Sequence, residues 1–237
     1  MRRPLLRVSE LAAGYGEQQV LFGVNLDVHP GQAVSLMGRN GMGKTTTVRA
    51  IMGQLPVLAG RIFLEGRSIA GEPPFVIAQA GIGLAPEGRQ IFPTLTVEEN
   101  LIATATHRSF GGALWTLERI YGFFPRLALR RHNLGNQISG GEQQMLAIGR
   151  ALMTNPKLLI LDEATEGLAP QIRQEIWERL KLLRADGLSI LIIDKNIDAL
   201  LRLVDRHFIL EKGRIVWQGD SRALAAQPNA RNRYLSI

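Results

Sequence analysis

The sequence predicts an α/β fold: a mixed-sheet core with an N-terminal antiparallel β lobe and an inserted helical subdomain. Three observations predict it. The first is a set of four short runs, Ala33–Met37, Ile82–Ala85, Leu158–Leu161 and Ile190–Ile193, apolar at nearly every position. Strands read that way when helices cover both faces of a parallel sheet, and helical patterns lie between these runs. The second is Val24–Val28, which alternates apolar and polar residues and ends at Pro30 and Gly31, the pattern of a half-buried antiparallel strand. The third is the stretch from about 95 to 156, rich in helix formers and interrupted at residues 109–112 (Ser, Phe, Gly, Gly) and 133–136 (Asn, Leu, Gly, Asn). It reads as a helical subdomain set into the core. Near the C-terminus, His207–Leu210 and Arg214–Trp217 flank Glu211, Lys212 and Gly213 and predict a closing hairpin. With no repeat, low-complexity segment or long linker, residues 1–237 are expected to form one domain with lobes.

Composition bounds the function. At 237 residues and 46% hydrophobic content the chain buries a substantial core. No run approaches the roughly 20 apolar residues of a membrane helix, and residues 1–6 lack the apolar region of a signal peptide, so a cytoplasmic location is expected. The absence of cysteine excludes disulfides and thiolate metal sites. The net charge of +7 suits nucleic acid, anionic headgroups or a phosphate-bearing ligand, or solubility alone. The basic residues are scattered and only 6% of residues are aromatic, which argues against a stacking platform for single-stranded nucleic acid.

Gly38, Arg39, Asn40, Gly41, Met42, Gly43, Lys44 and Thr45 match the phosphate-binding pattern of Gly, four residues, Gly, Lys, Thr. The match lies where its chemistry requires, after a strand and before a helix. Glycines let backbone amides converge, the helix N-terminus adds partial positive charge, and Lys44 supplies a full one, so the loop predicts a polyphosphate site. Thr45, Thr46, Thr47 and Val48 form a β-branched first turn that helix propensity alone would not select. The threonine hydroxyls point to ligation by Thr45, which would bind Mg²⁺, and by Thr46; Thr47 is left without a role. Leu158–Leu161 then runs into Asp162 and Glu163, two acids at a strand end. Asp162 is expected in the Mg²⁺ shell and Glu163 to polarise the attacking water, because phosphoryl transfer depends on positioning and charge stabilisation. This much predicts a P-loop NTPase core of the RecA-like kind and nucleoside triphosphate hydrolysis. Kinases, GTPases and recombinases share it.

Ile138, Ser139, Gly140, Gly141, Glu142, Gln143 and Gln144, followed by Met145–Leu152, Asn155, Pro156 and the acidic strand, closely resemble the signature region of the ATP-binding cassette (ABC) family. The resemblance covers essentially the whole chain. Ser139 and its glycines cap a helix whose N-terminus forms a second anion site with no phosphate of its own in the monomer. The resemblance implies a head-to-tail dimer of two cassettes, identical or different, in which Ser139, Gly140, Gly141 and Glu142 touch ATP held by the partner. It also implies that Tyr15 stacks on adenine. Glu87 stands where the family usually has a glutamine that senses Mg²⁺ and faces a membrane partner. Lys195, after Asp194 at a strand tip, stands where the family has a histidine touching the γ-phosphate. A lysine stays cationic where imidazole would titrate, and it grips phosphate without relaying a hydrogen bond as a ring does. Ala169 replaces the usual aspartate of the dimer-contact loop.

The segments 86–89, 92–100 and 166–170 resemble ATPase subunits of bacterial importers for branched-chain amino acids. A related subgroup imports urea and usually keeps glutamine at position 87. The resemblance implies permease subunits as partners, a periplasmic solute-binding protein acting indirectly, and a peripheral place on the cytoplasmic face of the inner membrane. A soluble cassette acting on ribosomes or DNA is the other reading, motivated by the basic charge. Such proteins usually carry two cassettes or a long coiled coil, and no nucleic acid is expected here.

Overall fold

The computed structural model describes residues 3–108 and 113–227; the predicted interruption at 109–112 lies outside them. The first third contains β1 (Leu6–Tyr15), β2 (Gln18–Val28), β3 (Ala33–Met37), α1 (Lys44–Ile51), β4 (Val57–Leu64), β5 (Arg67–Ser68), α2 (Pro74–Ala80) and β6 (Ile82–Ala85). Four helices follow: α3 (Val97–Ile102), α4 (Leu117–Phe123), α5 (Pro125–Leu129) and α6 (Gly140–Met153). The chain then forms β7 (Leu158–Asp162), α7 (Pro170–Ala185), β8 (Ser189–Ile193), α8 (Ile197–Leu203), β9 (Arg206–Glu211), β10 (Arg214–Gly219) and α9 (Ser221–Ala225). Among these described residues no helix is long and apolar enough to cross a membrane.

The core sheet has the order β10-β9-β3-β8-β7-β6, parallel except for β10, and a second antiparallel sheet has the order β2-β1-β4-β5. Every residue of β3, β7 and β8 is buried. Alternate side chains leave a strand on opposite faces. Accordingly, Leu159, Leu161, Ile190 and Ile192 enter a core with the helical subdomain and α7, whereas Leu158, Ile160, Leu191 and Ile193 enter one with α1 and the antiparallel lobe. Two apolar layers on one sheet explain the uninterrupted apolar runs. Loops after β3, β7 and β8, neighbours in this order, then emerge together at the carboxyl edge, where open α/β sheets bind ligands.

The antiparallel lobe is larger than the sequence pattern shows. Its strand β2 begins six residues before Val24, and β1 and β4 show no clean alternation because their pairing shifts register between Ser9 and Ala12. Glu10 has φ 50° there, and Gly60 has φ 94° with its α-carbon packed so closely that a side chain would lie 2.3 Å from the Glu10 carbonyl oxygen. A bulge of this kind displaces the alternation by one residue. The closing hairpin also turns more tightly than predicted. Glu211 belongs to β9, leaving Lys212 and Gly213, both at positive φ, as a two-residue turn.

In the helical region Thr96 caps α3. Its hydroxyl accepts from the Glu99 amide at 3.1 Å, and the Glu99 carboxylate accepts from the Thr96 amide at 2.8 Å. Fully buried Asn100 accepts from the Phe92 amide and donates to the carbonyls of Phe92, Leu95 and Thr96, all within 3.1 Å. That fixes the segment joining β6 to the helices.

A buried histidine ties the C-terminal helix to the sheet. His207 on β9 lies 2.7 Å from the Ser35 hydroxyl on β3 and 2.9 Å from the Ser221 hydroxyl, which itself donates to the Val204 carbonyl. Burial pushes the imidazole down to about 4, against a partial upward pull from Asp220 and Asp205. The unfolded chain, with a histidine near 6.5, binds a proton that the folded chain refuses between these values, so stability falls as pH falls through that window. We expect His207 to cost about 2 kcal/mol of stability between pH 7.5 and pH 5. Urea unfolding at both pH values should show His207→Asn losing that much of the pH dependence; an unchanged dependence contradicts the assignment.

Candidate nucleotide site

The loop between β3 and α1 is shaped by close backbone contacts. At Gly38, φ is 145° and a side chain would lie 2.3 Å from the Leu210 carbonyl oxygen, so only glycine lets the loop cross β9 there. Met42 anchors the far side: its carbonyl accepts from the Gly213 amide at 3.1 Å and its Sδ from the Lys212 amide at 3.3 Å. Arg39, Asn40 and Gly41 remain exposed between these anchors. Gly43, in left-handed geometry, caps α1, and the buried Thr47 hydroxyl donates to its carbonyl at 2.9 Å. This bond gives Thr47 a structural role that its sequence context did not disclose. The first-turn amides of α1, which lack intrahelical acceptors, thus face the exposed loop.

Lys44 is 6% exposed, donates to the Arg39 carbonyl at 3.1 Å, and lies 3.8 Å from Glu163. Burial lowers its pKa and the nearby Glu163 carboxylate opposes that shift. Thr45 donates to Asp162 at 3.5 Å, across 117 residues of sequence. Asp162 ends β7 and is buried; burial raises its carboxyl, the Thr45 hydrogen bond lowers it, and the negative charge of Glu87 raises it further. Thr45 and Asp162 therefore present hard oxygen donors side by side, with a second carboxylate, Glu87, within electrostatic reach. That set fits Mg²⁺, which takes few protein ligands and fills its shell with phosphate oxygens and water. Among the described residues no three His, Cys, Asp or Glu side chains form a metal cage.

Glu163 follows at φ 52°, its amide donating to the Ile193 carbonyl at 2.9 Å. Its carboxylate is held between two ammonium groups, Lys44 at 3.8 Å and Lys195 at 3.9 Å. Burial raises the carboxyl to about 7, helped by the adjacent Glu166 and opposed by Lys195 and Lys44. A carboxylate near neutrality is suited to general-base work. Lys195 also forms an ion pair with Glu166, and this partner raises its pKa.

Two further parts surround this centre. Tyr15, at the end of β1, is 43% exposed; Arg49 of α1 donates to its hydroxyl at 3.1 Å and lies over its ring at 6.0 Å. Exposed Ser139 caps α6 in a reciprocal box with Glu142: the hydroxyl accepts from the Glu142 amide at 3.3 Å, and the carboxylate accepts from the Ser139 amide at 2.8 Å. Arg130 adds a charge at 3.6 Å, and although burial would raise the Glu142 carboxyl, these partners hold it below its usual range. Arg89, at φ 66°, donates to Gln143 at 3.0 Å and lies against Gly140, linking the Glu87 loop to the start of α6.

The sequence model of the ABC transporter family matches residues 21–166, which contain the phosphate loop, the Ser139 region and both acids. The chain belongs to the ABC transporter family. The cassette is 40% identical to the high-affinity branched-chain amino acid transport ATP-binding protein BraG of Pseudomonas aeruginosa, covering 98% of this chain and 99% of BraG. It is 34% identical to the probable branched-chain amino acid transport ATP-binding protein LivF of Archaeoglobus fulgidus, covering 93% and 94%. Its fold superposes on a nucleotide-free ATP-binding cassette from an ABC transporter with TM-score 0.83 at 27% identity, covering 96% and 97%. A bacterial ABC transporter cassette solved as a dimer gives TM-score 0.77 at 25% identity, covering 92% and 99%.

The cassette is thus an ABC ATPase, as the sequence implies. The structure brings Lys44, Thr45, Asp162, Glu163 and Lys195 into one chain of contacts, with Glu87 close by in charge. Ser139, Gly140 and Glu142 make their contacts with Arg130, Arg89 and one another. The sequence marks Glu166 only as part of a resemblance segment and assigns Gln143 no role. Their importance depends on which loops become neighbours at the sheet edge, and local spacing carries no signal for that.

Proposed function

We propose that this cassette is the ATP-hydrolysing subunit of a membrane importer for branched-chain amino acids. Its full-length likeness to BraG carries the reading, and the geometry supports the same chemistry. Backbone amides from Gly38 to Gly43, with Arg39, Asn40, Met42, Lys44, Thr45 and Thr46, hold the polyphosphate, and Tyr15 offers its exposed face to adenine. Thr45, Asp162 and Glu87 would hold Mg²⁺, which supplies neutralisation of phosphate charge when bound. Glu163 takes a proton from the attacking water. Lys195 carries a positive charge that can meet the terminal phosphate. Ser139, Gly140, Gly141 and Glu142 present a capped helix N-terminus to the nucleotide of a second cassette, since an outward anion site needs an anion from outside.

The permease surface is proposed along a groove of about 430 Å³ lined by Phe75, Glu87, Gln90, Arg150 and Thr154. Phe75 is 64% exposed there, and Arg150 lies over Phe92 at 4.2 Å while donating to the Gln90 carbonyl, so the Glu87 loop and α6 form one wall. A periplasmic binding protein would deliver solute on the other side of the membrane, and the cassette would act at the cytoplasmic face. Affinity isolation from membranes, followed by uptake of labelled leucine and urea in cells with and without the gene, tests the reading. Co-isolation of a multi-span partner and selective loss of leucine uptake are expected. Loss of urea uptake alone, or no multi-span partner, contradicts it.

A further inference from the structure

The loops after β7 and β8 are fastened to each other in backbone while their charged tips stay accessible. The Thr165 hydroxyl donates to Asp194 at 2.5 Å in a buried contact. Asp194 in turn accepts from the Asn196 amide at 2.8 Å, and Asn196 caps α8 by accepting from the Ala199 amide at 3.1 Å. The Glu163 amide bridges to Ile193, and the Glu166 amide donates to the Glu163 carbonyl at 3.3 Å. On this frame Lys44, Glu163, Lys195 and Glu166 form a row of alternating charge. The inner members are anchored and mostly shielded, Lys44 being buried and the Glu163 side chain 10% exposed. The outer pair is different: the Lys195 and Glu166 side chains are 41% and 50% exposed, and both belong to flexible residue types.

We propose that Glu166 is a nucleotide-discriminating residue of this cassette. Its carboxylate occupies on Lys195 the place of a terminal phosphate oxygen, so that a triphosphate must displace it and a diphosphate need not. This inference rests on the placement of the terminal phosphate beside Lys44 and Lys195 proposed above. Glu163 lies 3.8 Å from Lys44 and 3.9 Å from Lys195, so a terminal phosphate placed beside both lysines would meet a Lys195 already paired with Glu166. The exchange is feasible because the fastened backbone need not move: only two exposed side chains change rotamer. An exposed ion pair is also weak enough to yield to a multiply charged phosphate. Glu166 does not touch the reacting atoms; its carboxylate also lies against Glu163, but the discrimination proposed here acts through Lys195.

Equilibrium binding of ADP and of the non-hydrolysable triphosphate adenylyl imidodiphosphate, both with Mg²⁺, tests this on the full chain. Glu166→Gln should bind the triphosphate up to about fivefold tighter, the most an exposed pair contributes, with ADP affinity unchanged. Unchanged ADP binding also reports an intact fold. The gain should vanish when Lys195→Ala is added, because the competition then has no object. Three results overturn the proposal: no gain for the triphosphate, an equal gain for ADP that marks a general field effect, or a gain that persists without Lys195. A wild-type chain that binds neither nucleotide overturns the site assignment and this inference with it.

Discussion

Replacing Glu163 by glutamine is expected to lower ATP turnover by roughly 10²–10⁴-fold, the contribution of a positioned general base, while nucleotide binding survives. The isosteric amide fits the same pocket between Lys44 and Lys195 but cannot take a proton. Burial with Glu166 alongside raises the carboxyl to about 7, so wild-type turnover should fall as pH drops below neutrality and the base becomes protonated. The variant should lack that acid limb in its residual activity. Stopped-time phosphate release across pH 5.5–8.5 measures both effects; a variant with wild-type turnover would falsify the assignment of Glu163 as base.

The second large effect is expected at Lys44→Ala. One charge about 4 Å from a phosphate oxygen, at an effective dielectric near 20, is worth on the order of 4 kcal/mol before desolvation. Part of that desolvation is already met in the folded chain, because Lys44 is buried and its pKa is lowered by burial. Affinity for ATP should therefore fall by roughly 10²–10³-fold. The fold should survive, since Glu163 retains Lys195 and the loop retains its Met42 and Gly43 anchors. Calorimetric titration with ATP checks the loss, and an affinity within a few-fold of wild type contradicts the role of Lys44.

What the sequence disclosed, and what it hid, follows from the range over which each constraint acts. The phosphate loop is legible because glycine geometry, helix N-terminus and lysine must all occur within eight residues. The central strands are legible because two apolar layers demand continuous apolar runs. Strands β1 and β4 are not, because the bulge at Glu10 and Gly60 shifts their alternation. Lys195 was visible as a departure from the family, but its pairing with Glu166 was not. That pair joins loops 29 residues apart that meet only because β7 and β8 are neighbours in the sheet. Arg89 gives the same lesson: its link to Gln143 spans 54 residues and exists only once the helical subdomain folds against the Glu87 loop.

One contiguous site, built on Lys44 and Glu163, is proposed both to hold ATP and to hydrolyse it. The most direct measurement is ATP binding and phosphate release on the same preparations of wild type, Glu163→Gln and Lys44→Ala, each assembled with its membrane partners. Separation of the two activities is predicted, with binding kept and release lost for Glu163→Gln, and both lost for Lys44→Ala. Phosphate release at the wild-type rate by either variant would place hydrolysis elsewhere and overturn the roles given to Lys44 and Glu163.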